Sequence, residues 1–284
     1  MSFTPFSLNV KGRLCEFDRP VVMGIINLTT DSFHAASRHI DPADAARTAR
    51  SMVDAGATML DLGAYSSRPG ADDVPEEEEC RRLCAGVEAV RAEVGPDVLI
   101  SVDTFRSSVA KAAVGCGADI VNDISGGELD RAMFTTVAEL GCPYVLMHMR
   151  GTPASMQSLT DYEDVAADVW SYLSRRAAEL HAMGVADVIL DPGFGFAKTL
   201  EQNYRLLGAL DSLCGLGMPV LAGMSRKSML SRLPGVAPEA MVAATTAVNV
   251  LALERGASIL RVHDVAEAVA AVAVVCAKDS AITI

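Results

Sequence analysis

Eight short apolar runs recur along the chain, and each leads into a polar residue. The runs are VVMGII, TML, VLISV, DIV, YVLM, VIL, VLAGM and ILRV, and the residues that follow them are Asn27, Asp61, Asp103, Asn122, His148, Asp191, Ser225 and His263. Continuous apolar runs of this length are typical of strands that are buried on both faces, as in a parallel sheet. The pattern therefore predicts eight parallel strands.

Segments with helical character fill the gaps between these runs. Asp41-Pro42 is a typical helix start, Gly56 a typical stop, and Pro238 opens an alanine-rich segment that runs to Gly256. Eight strands alternating with helices are the signature of a (β/α)8 barrel, so the predicted fold class is α/β, a TIM barrel. An open, doubly wound sheet is the alternative, but eight evenly spaced units favour closure. We predict a single domain over residues 1–284.

The first twenty residues stand outside the eight repeating units. SLNV, KG and RLCEF read as two short strands that turn at Lys11-Gly12, which is the pattern of a β-hairpin. We therefore predict that residues 1–20 form a hairpin extension, and we expect it to cover the bottom of the barrel.

Net charge, apolar run lengths and cysteine content indicate which classes of protein this chain does not fit. The formal net charge is −12, and nucleic-acid binders usually carry a basic face, so we expect no nucleic-acid partner. The N-terminus lacks the pattern of a signal peptide, and no apolar run approaches the length that spans a bilayer. Seven scattered cysteines are typical of reduced thiols. These features predict a cytoplasmic protein without a membrane partner.

The polar residues at the strand ends are expected to meet, because the C-terminal ends of the strands form one face of such a barrel. Asp103, Asp191 and Asn122 together offer hydrogen-bond acceptors and donors in a deep site. Carboxylates accept paired N–H donors, and an Asn side chain both donates and accepts. This set suits a flat heterocycle with amino, amide and ring N–H edges.

Cations follow the last two strands. Lys227 can donate to a ring carbonyl or ring nitrogen, and Arg226 with Ser228 is expected to begin a helix whose N-terminus favours an anion. Arg261 and His263 share one side of a strand by alternation, which suits a phosphate group. The alternative for Arg226 and Ser228 is a solvated helix start, and the alternative for Arg261 is a pair with an internal carboxylate.

Two loops add candidate residues. DPGFGF, from Asp191 to Phe196, lacks the spacing and the Lys-Ser/Thr ending of a phosphate-binding P-loop, and its two phenylalanines suggest a wall for a ring. The segment after strand two contains Ser67, Arg68 and Pro69, and we expect it to lie over the site. An ordinary connecting loop is the alternative for this segment.

The motifs taken together resemble those of the dihydropteroate synthase family. The matching stretches are MGIINLTTDSF, SSRPGA, SVDTF, VNDISGG, LMHMRGTP, LDPGFGF, GMSRKSML and RVHDV, and they run from about residue 21 to the end of the chain. The resemblance implies a transferase of folate biosynthesis that joins 6-hydroxymethyl-7,8-dihydropterin pyrophosphate to 4-aminobenzoate. The implied products are 7,8-dihydropteroate and pyrophosphate. It also implies a Mg²⁺ requirement, a homodimer, and competition by sulfonamides.

The resemblance assigns roles to individual residues. Asp103, Asn122, Asp191 and Lys227 match pterin contacts, and Ile124 and Met149 match residues of the pterin pocket. Asn27, Arg68, Arg261 and His263 match the pyrophosphate region, and Asn27 and Asp31 match its Mg²⁺ site. Ser67, Pro69, Phe196 and Ser228 match the 4-aminobenzoate side, where Lys227 is shared. The residues expected to act in catalysis are Asp103, Lys227, Arg261, His263 and Asp31.

The first two active-site loops depart from the family pattern. Thr30 stands where a proline is common, and Ala35 and Ala36 stand where an aspartate and a glycine are common. In the second loop, Ala64 and Tyr65 replace the more usual glycine and glutamate. These changes concern Mg²⁺ ligation and loop closure rather than the pterin pocket. Two other functions compete with the enzyme: a non-catalytic pterin-binding paralogue, and a pterin-dependent methyltransferase of related fold.

Overall fold

The structure is a computed structural model, and it describes residues 3–28, 41–65 and 73–282. These residues contain ten strands. The strands are β1 (Phe6–Val10), β2 (Arg13–Phe17), β3 (Val21–Asn27), β4 (Met59–Gly63), β5 (Leu99–Asp103), β6 (Ile120–Asp123), β7 (Tyr144–Met147), β8 (Val188–Asp191), β9 (Leu221–Ala222) and β10 (Ile259–Val262). Strands β3 to β8 pair in sequence order, and β10 pairs with both β3 and β9, all in parallel.

The ring of strands closes between β8 and β9. A parallel bridge joins Leu190 to Val220, and the amide of Leu190 donates to the carbonyl of Pro219 at 2.9 Å. The prediction of a closed (β/α)8 barrel is therefore confirmed, and the open sheet is excluded. The single-domain assignment for residues 1–284 stays a prediction.

Helices follow the barrel strands and pack on their outer face. They are α1 (Pro42–Asp54), α2 (Glu76–Val94), α3 (Ser107–Gly115), α4 (Met133–Leu140), α5 (Val165–Ala182), α6 (Leu200–Gly208), α7 (Leu210–Cys214), α8 (Ser228–Ser231), α9 (Met241–Glu254) and α10 (Val265–Ile282). As predicted, Asp41 caps α1 through the amide of Ala43. The segment after Pro238 begins with one 3₁₀ turn before it becomes α9. Among the described helices, none combines the length and apolar character that a membrane span requires.

The N-terminal hairpin closes the bottom of the barrel. Strands β1 and β2 pair in antiparallel fashion, and Lys11 and Gly12 form the turn with φ values of 52° and 86°. Leu8 and Val10 pack against a layer of apolar side chains inside the barrel. That layer consists of Val21, Met23, Met59, Leu99, Ile120, Val145, Ile189, Leu221 and Ile259. The predicted hairpin and its predicted location are both confirmed.

Candidate active site

A charged network spans the open end of the barrel, opposite the hairpin. The guanidinium of Arg261 on β10 donates through Nε to Oδ2 of Asp61 at 2.6 Å and through Nη2 to Oδ2 of Asp103 at 2.8 Å. The amide Nδ2 of Asn122 donates to the same Oδ2 of Asp61 at 3.0 Å. One cation therefore joins two acids, and four strands contribute to a single polar cluster.

Strand register explains why these side chains meet. Asp103 lies opposite Asn122 in the β5–β6 pair, so their side chains point to the same side of the sheet. Asp61 is in register with Ser101, two residues before Asp103 on β5. Since side chains alternate along a strand, Asp61, Asp103 and Asn122 all point into the barrel. Asp61 lies in the middle of β4, and the expectation that it ends its strand was wrong.

The network sets the charge of its members. Burial raises the pKa of Asp103 to about 7, although the adjacent Arg261 opposes that rise. Burial works against the charge of Arg261 too, but Asp61 and Asp103 outweigh it and raise the Arg261 pKa, so the guanidinium stays charged. Asp61 is fully buried, and its Oδ1 has no hydrogen-bond partner among the described residues.

Asp191 and Lys227 form a second polar group beside this network. Asp191 ends β8, its Oδ1 accepts from the amide of Gly193 at 2.7 Å, and burial raises its pKa. The Nζ of Lys227 donates to the carbonyl of Phe194 at 2.5 Å and lies 4.6 Å from the ring centroid of Phe196. Burial lowers the Lys227 pKa to about 8, against the attraction of Asp191.

An apolar cluster borders the same opening. Ile124, Met147, Met149, Met156 and Ala197 are its buried members, and Phe105, Leu129 and Phe196 pack against them. Of the two phenylalanines that were expected to form a wall, Phe196 belongs to this cluster. Phe194 is fully buried in the core between the sheet and the helices, so the interpretation was wrong for that residue.

His263 and Asn27 lie at the strand ends as predicted. The hydroxyl of Ser225 is 3.0 Å from Nδ1 of His263, and the same oxygen accepts from the His263 amide at 3.1 Å. This contact fixes the imidazole at the end of β10. Asn27 is the exposed last residue of β3, and Ser228 is the exposed first residue of α8.

The expected anion site at the start of α8 is not supported. The helix spans only one turn, from Ser228 to Ser231. Arg226 has a φ of 55° and donates through Nε to Asp264 at 3.0 Å, so an internal carboxylate holds its guanidinium. Asp31, Ser67, Arg68 and Pro69 lie outside the described residues, as do Thr30, Ala35 and Ala36. Their assignments stay predictions.

Two residues of the site had no individual role in the sequence analysis. Asp61 was expected at the barrel mouth only as one of the polar residues that follow the apolar runs, and it accepts hydrogen bonds from both Arg261 and Asn122. A single carboxylate in the apolar stretch TMLDLG is the sequence signal for that position. Lys198 is buried next to His148, with its Nζ 3.1 Å from Nδ1 of the imidazole. A lysine seven residues after a strand end gives no comparable signal, because lysine is usually exposed.

Comparison with known proteins decides the family. The family model described as "Pterin binding enzyme" matches residues 23–263. The chain belongs to this family. The dihydropteroate synthase of Escherichia coli K12 is 42% identical over 280 residues, which cover 96% of this chain and 97% of that protein. The resemblance read from the motifs is confirmed.

Solved structures of family members have the same fold. The dihydropteroate synthase of Xanthomonas albilineans with 4-aminobenzoic acid gives a TM-score of 0.89 at 41% identity, covering 97% of this chain and 99% of that one. The Yersinia pestis enzyme in a sulfonamide complex also gives 0.89, at 40% identity, covering 97% and 100%. The pterin-binding chain described here is thus a transferase with the barrel of its family.

The buried network predicts a stability effect. We expect Asp61→Ala to lower the free energy of unfolding by about 3 kcal/mol, because Arg261 and Asn122 lose a buried partner. Urea unfolding measures the change. Glu201→Ala is the control: it removes an exposed pair with Arg205 and should cost under about 1 kcal/mol. A loss of that small size for Asp61→Ala would contradict the importance of the network.

The raised carboxyl pKa values predict a pH effect on pterin binding. The predicted pterin contacts Asp103 and Asp191 would accept N–H donors in their ionised form, so pterin binding should release protons near pH 7 and weaken as pH falls. Because the pKa of Asp103 is about 7, the Kd for the pterin should rise by up to about tenfold for each pH unit below that pKa. Fluorescence titration with 6-hydroxymethylpterin from pH 5.5 to 7.5 measures it.

Asp103→Asn is the matched variant for this experiment. It should bind the pterin more weakly at pH 7.5, and its remaining pH dependence should be that of Asp191 alone. A wild-type Kd that stays constant over the whole range would contradict the prediction.

Proposed function

We propose that this chain catalyses the condensation of 6-hydroxymethyl-7,8-dihydropterin pyrophosphate with 4-aminobenzoate, which gives 7,8-dihydropteroate and pyrophosphate. The step belongs to folate biosynthesis. The observation that carries the proposal is similarity over nearly the whole chain to dihydropteroate synthases, including structures described with 4-aminobenzoic acid and with 7,8-dihydropteroate. The polar groups at the barrel mouth suit both substrates.

The pterin ring is assigned to the two polar groups and the apolar cluster that borders the same opening. Asp103 and Asp191 accept hydrogen bonds from the amino and ring N–H groups of the pterin, and Asn122 forms hydrogen bonds with a neighbouring edge of the ring. Lys227 donates to a ring acceptor. Ile124 and Met149 cover the ring face. In support, Asn122 and Asp103 are already held by Asp61 and Arg261, so the ring meets side chains in fixed positions.

The 4-aminobenzoate is assigned to the side of Lys227 that faces Phe196. The ammonium lies over the Phe196 ring, which places a cation next to an aromatic surface. Ser228 is exposed one residue later on the chain. Ser67 and Pro69 complete this assignment by resemblance. The arrangement suits a molecule with an aromatic ring and a carboxylate.

The pyrophosphate is assigned to Arg261, His263, Asn27 and Arg68. A guanidinium has five N–H donors, so Arg261 is able to hold Asp61 and Asp103 and still donate to a phosphate oxygen. His263 is fixed at the end of the same strand by Ser225. Cations at this position stabilise the negative charge that grows on the leaving group.

The chemistry follows from this placement. The bond from the pterin methylene carbon to the pyrophosphate oxygen breaks, and the bonding electrons leave with pyrophosphate. The electron-rich ring and the Asp103 and Asp191 carboxylates stabilise the positive charge on the pterin. The amine nitrogen of 4-aminobenzoate then forms the new C–N bond and loses a proton. A neutral aromatic amine is already nucleophilic at pH 7, so no strong base is required.

We propose Mg²⁺ as the cofactor. Mg²⁺ commonly binds through one or two protein ligands, several waters and the substrate phosphates, and it then neutralises phosphate charge. Among the described residues, no group of three His, Cys, Asp or Glu side chains is arranged to hold a metal. By resemblance, Asn27 would supply an amide oxygen, and Asp31, which lies outside the described residues, would supply a carboxylate.

An activity assay tests the function and the metal together. Purified protein with both substrates and Mg²⁺ should release dihydropteroate and pyrophosphate in equal amounts, and EDTA should stop turnover until Mg²⁺ is restored. Sulfonamides should compete with 4-aminobenzoate. Lys227→Met should lower kcat/KM by about 10²-fold, since it removes a group assigned to both substrates. Pterin binding without any product under these conditions would favour the non-catalytic paralogue.

We also propose a homodimer formed through α9 and α10. Leu251 is 51% exposed and Val274 is 64% exposed, and alanines lie beside them on both helices. Exposed apolar helix faces of this kind are typical of subunit interfaces. Light scattering should give twice the chain mass of 29.9 kDa, and Val274→Glu should shift the protein toward the monomer. A monomer at all micromolar concentrations would refute the dimer.

The cytoplasm is the proposed compartment. All seven cysteines lie within the described residues, and each is a free thiol. Cys84 and Cys116 are neighbours whose thiols interact without a disulfide bond. Free, adjacent thiols suit a reducing compartment.

A further inference from the structure

Lys198 occupies a buried position that the proposed mechanism does not use. Its side chain is at the end of the loop that follows β8, and the residue is 4% exposed. Its Nζ contacts the carbonyls of Gly193 and Phe196, each at 3.0 Å, and Nδ1 of His148 at 3.1 Å. An ammonium has three donors, and these three acceptors use all of them. Lys198 therefore acts on the protein itself rather than on a ligand.

The loop that Lys198 holds has an unfavourable backbone. Gly193 and Gly195 have φ values of 70° and 82°, and Ala197 has a φ of 48°, which is uncommon for a residue with a side chain. A Cβ on Gly193 would lie 2.0 Å from the carbonyl oxygen of His148, so the loop packs directly on the end of β7. Such conformations persist where surrounding contacts enforce them. The Lys198 ammonium supplies three of those contacts.

The same loop carries the second polar group of the site. Asp191, the last residue of β8, leads into the loop and accepts from its Gly193 amide, and Phe196 is part of the apolar cluster. The carbonyl of Phe194 accepts from Lys227, and the Lys227 side chain passes over Gly195, where a Cβ would approach its Cδ to 3.1 Å. The position of Lys227 therefore depends on the conformation of the loop.

We propose that Lys198 is a positioning residue of the transfer reaction. Its buried ammonium fixes the loop from Asp191 to Phe196 against His148, and the loop in turn sets the Asp191 carboxylate, the Phe196 ring and the Lys227 ammonium. This inference rests on the proposed function, because Asp191 and Lys227 are assigned to the substrates there.

The groups around Lys198 act on its charge in opposite directions. Burial opposes the ammonium most strongly, Asp191 favours it, and Lys227 and Arg150 oppose it, so the pKa of Lys198 falls to about 7. Burial, Lys198 and Arg150 together lower the His148 pKa to about 2, so the imidazole is neutral. In the ammonium form, Lys198 donates all three of its protons, and Nδ1 of His148 is then an acceptor.

Lys198→Met tests the proposal, with Lys111→Met as the control on the exposed side of α3. Removal of the donors should lower kcat/KM by about 10²-fold and raise the KM for 4-aminobenzoate, since small misplacements of reacting groups have effects of that size. The Kd for 6-hydroxymethylpterin should also rise, and this readout requires no turnover. Lys111→Met should stay within twofold of the wild type. A folded Lys198→Met protein within threefold of wild-type kcat/KM would overturn the proposal.

A coupling experiment separates positioning from a merely structural role. If Lys198 acts through Lys227, Lys198→Met should cost much less in a Lys227→Met background than in the wild type. Equal losses in both backgrounds would overturn the part of the proposal in which Lys198 positions Lys227.

A second pair of variants serves if Lys198→Met does not fold. His148→Gln keeps an acceptor for the ammonium, and His148→Leu removes it. Only His148→Leu should lower kcat/KM, by about tenfold. Equal, wild-type activity in both would overturn the proposal. A wild-type chain that binds the pterin but yields no dihydropteroate would refute the proposed function instead, so the two failures are distinguishable.

Discussion

The contact between Arg261 and the two carboxylates of Asp61 and Asp103 is the interaction on which the rest of the site depends. Two buried acids side by side repel each other, and a buried guanidinium without a partner is costly. Each is tolerable only because the others are present. They come from β10, β4 and β5, and the pairing of β10 with β3 places the last of these strands next to the first strand of the barrel. That pairing and the assembly of the site are therefore one requirement.

The site is held from two sides by different means. Asp103 and Asn122 project from strands and are fixed by the network around Asp61. Asp191 is the last residue of β8, and the loop that follows it accepts the Lys227 ammonium and has an unusual backbone conformation. The strands need no further support at this end, whereas the loop is held by the buried Lys198. A substrate bound between them meets one rigid wall made by the sheet and another made by internal hydrogen bonds.

Most of the fold was predictable from the sequence, because apolar runs of strand length and the helices between them reflect local chemistry. The hairpin turn at Lys11-Gly12 and the Asp41 cap are local in the same sense. The assigned pterin residues of the strands also lie together at the barrel mouth. Motif resemblance then gave the reaction, which periodicity alone does not specify.

The remainder depended on contacts between distant residues. Asp61 and Arg261 are separated by 200 positions, and no pattern in either segment predicts which partner the arginine selects. Phe194 and Phe196 are two residues apart in one motif, yet one enters the core and the other the site. Arg226 was expected at a helix start that favours an anion, and it pairs with Asp264 instead. In each case three-dimensional packing decided between roles that the residue type left open.

The hairpin at the opposite end has a consequence for solvent. Leu8 and Val10 plug the barrel, and the layer above them is apolar, so water reaches the charged network from one end only. Within the described residues, the apolar layer above Leu8 and Val10 leaves the open end as the side from which a molecule approaches Asp61, Asp103 and Arg261. The closed base therefore excludes water from one side of the network and strengthens the electrostatic interactions of its charged groups.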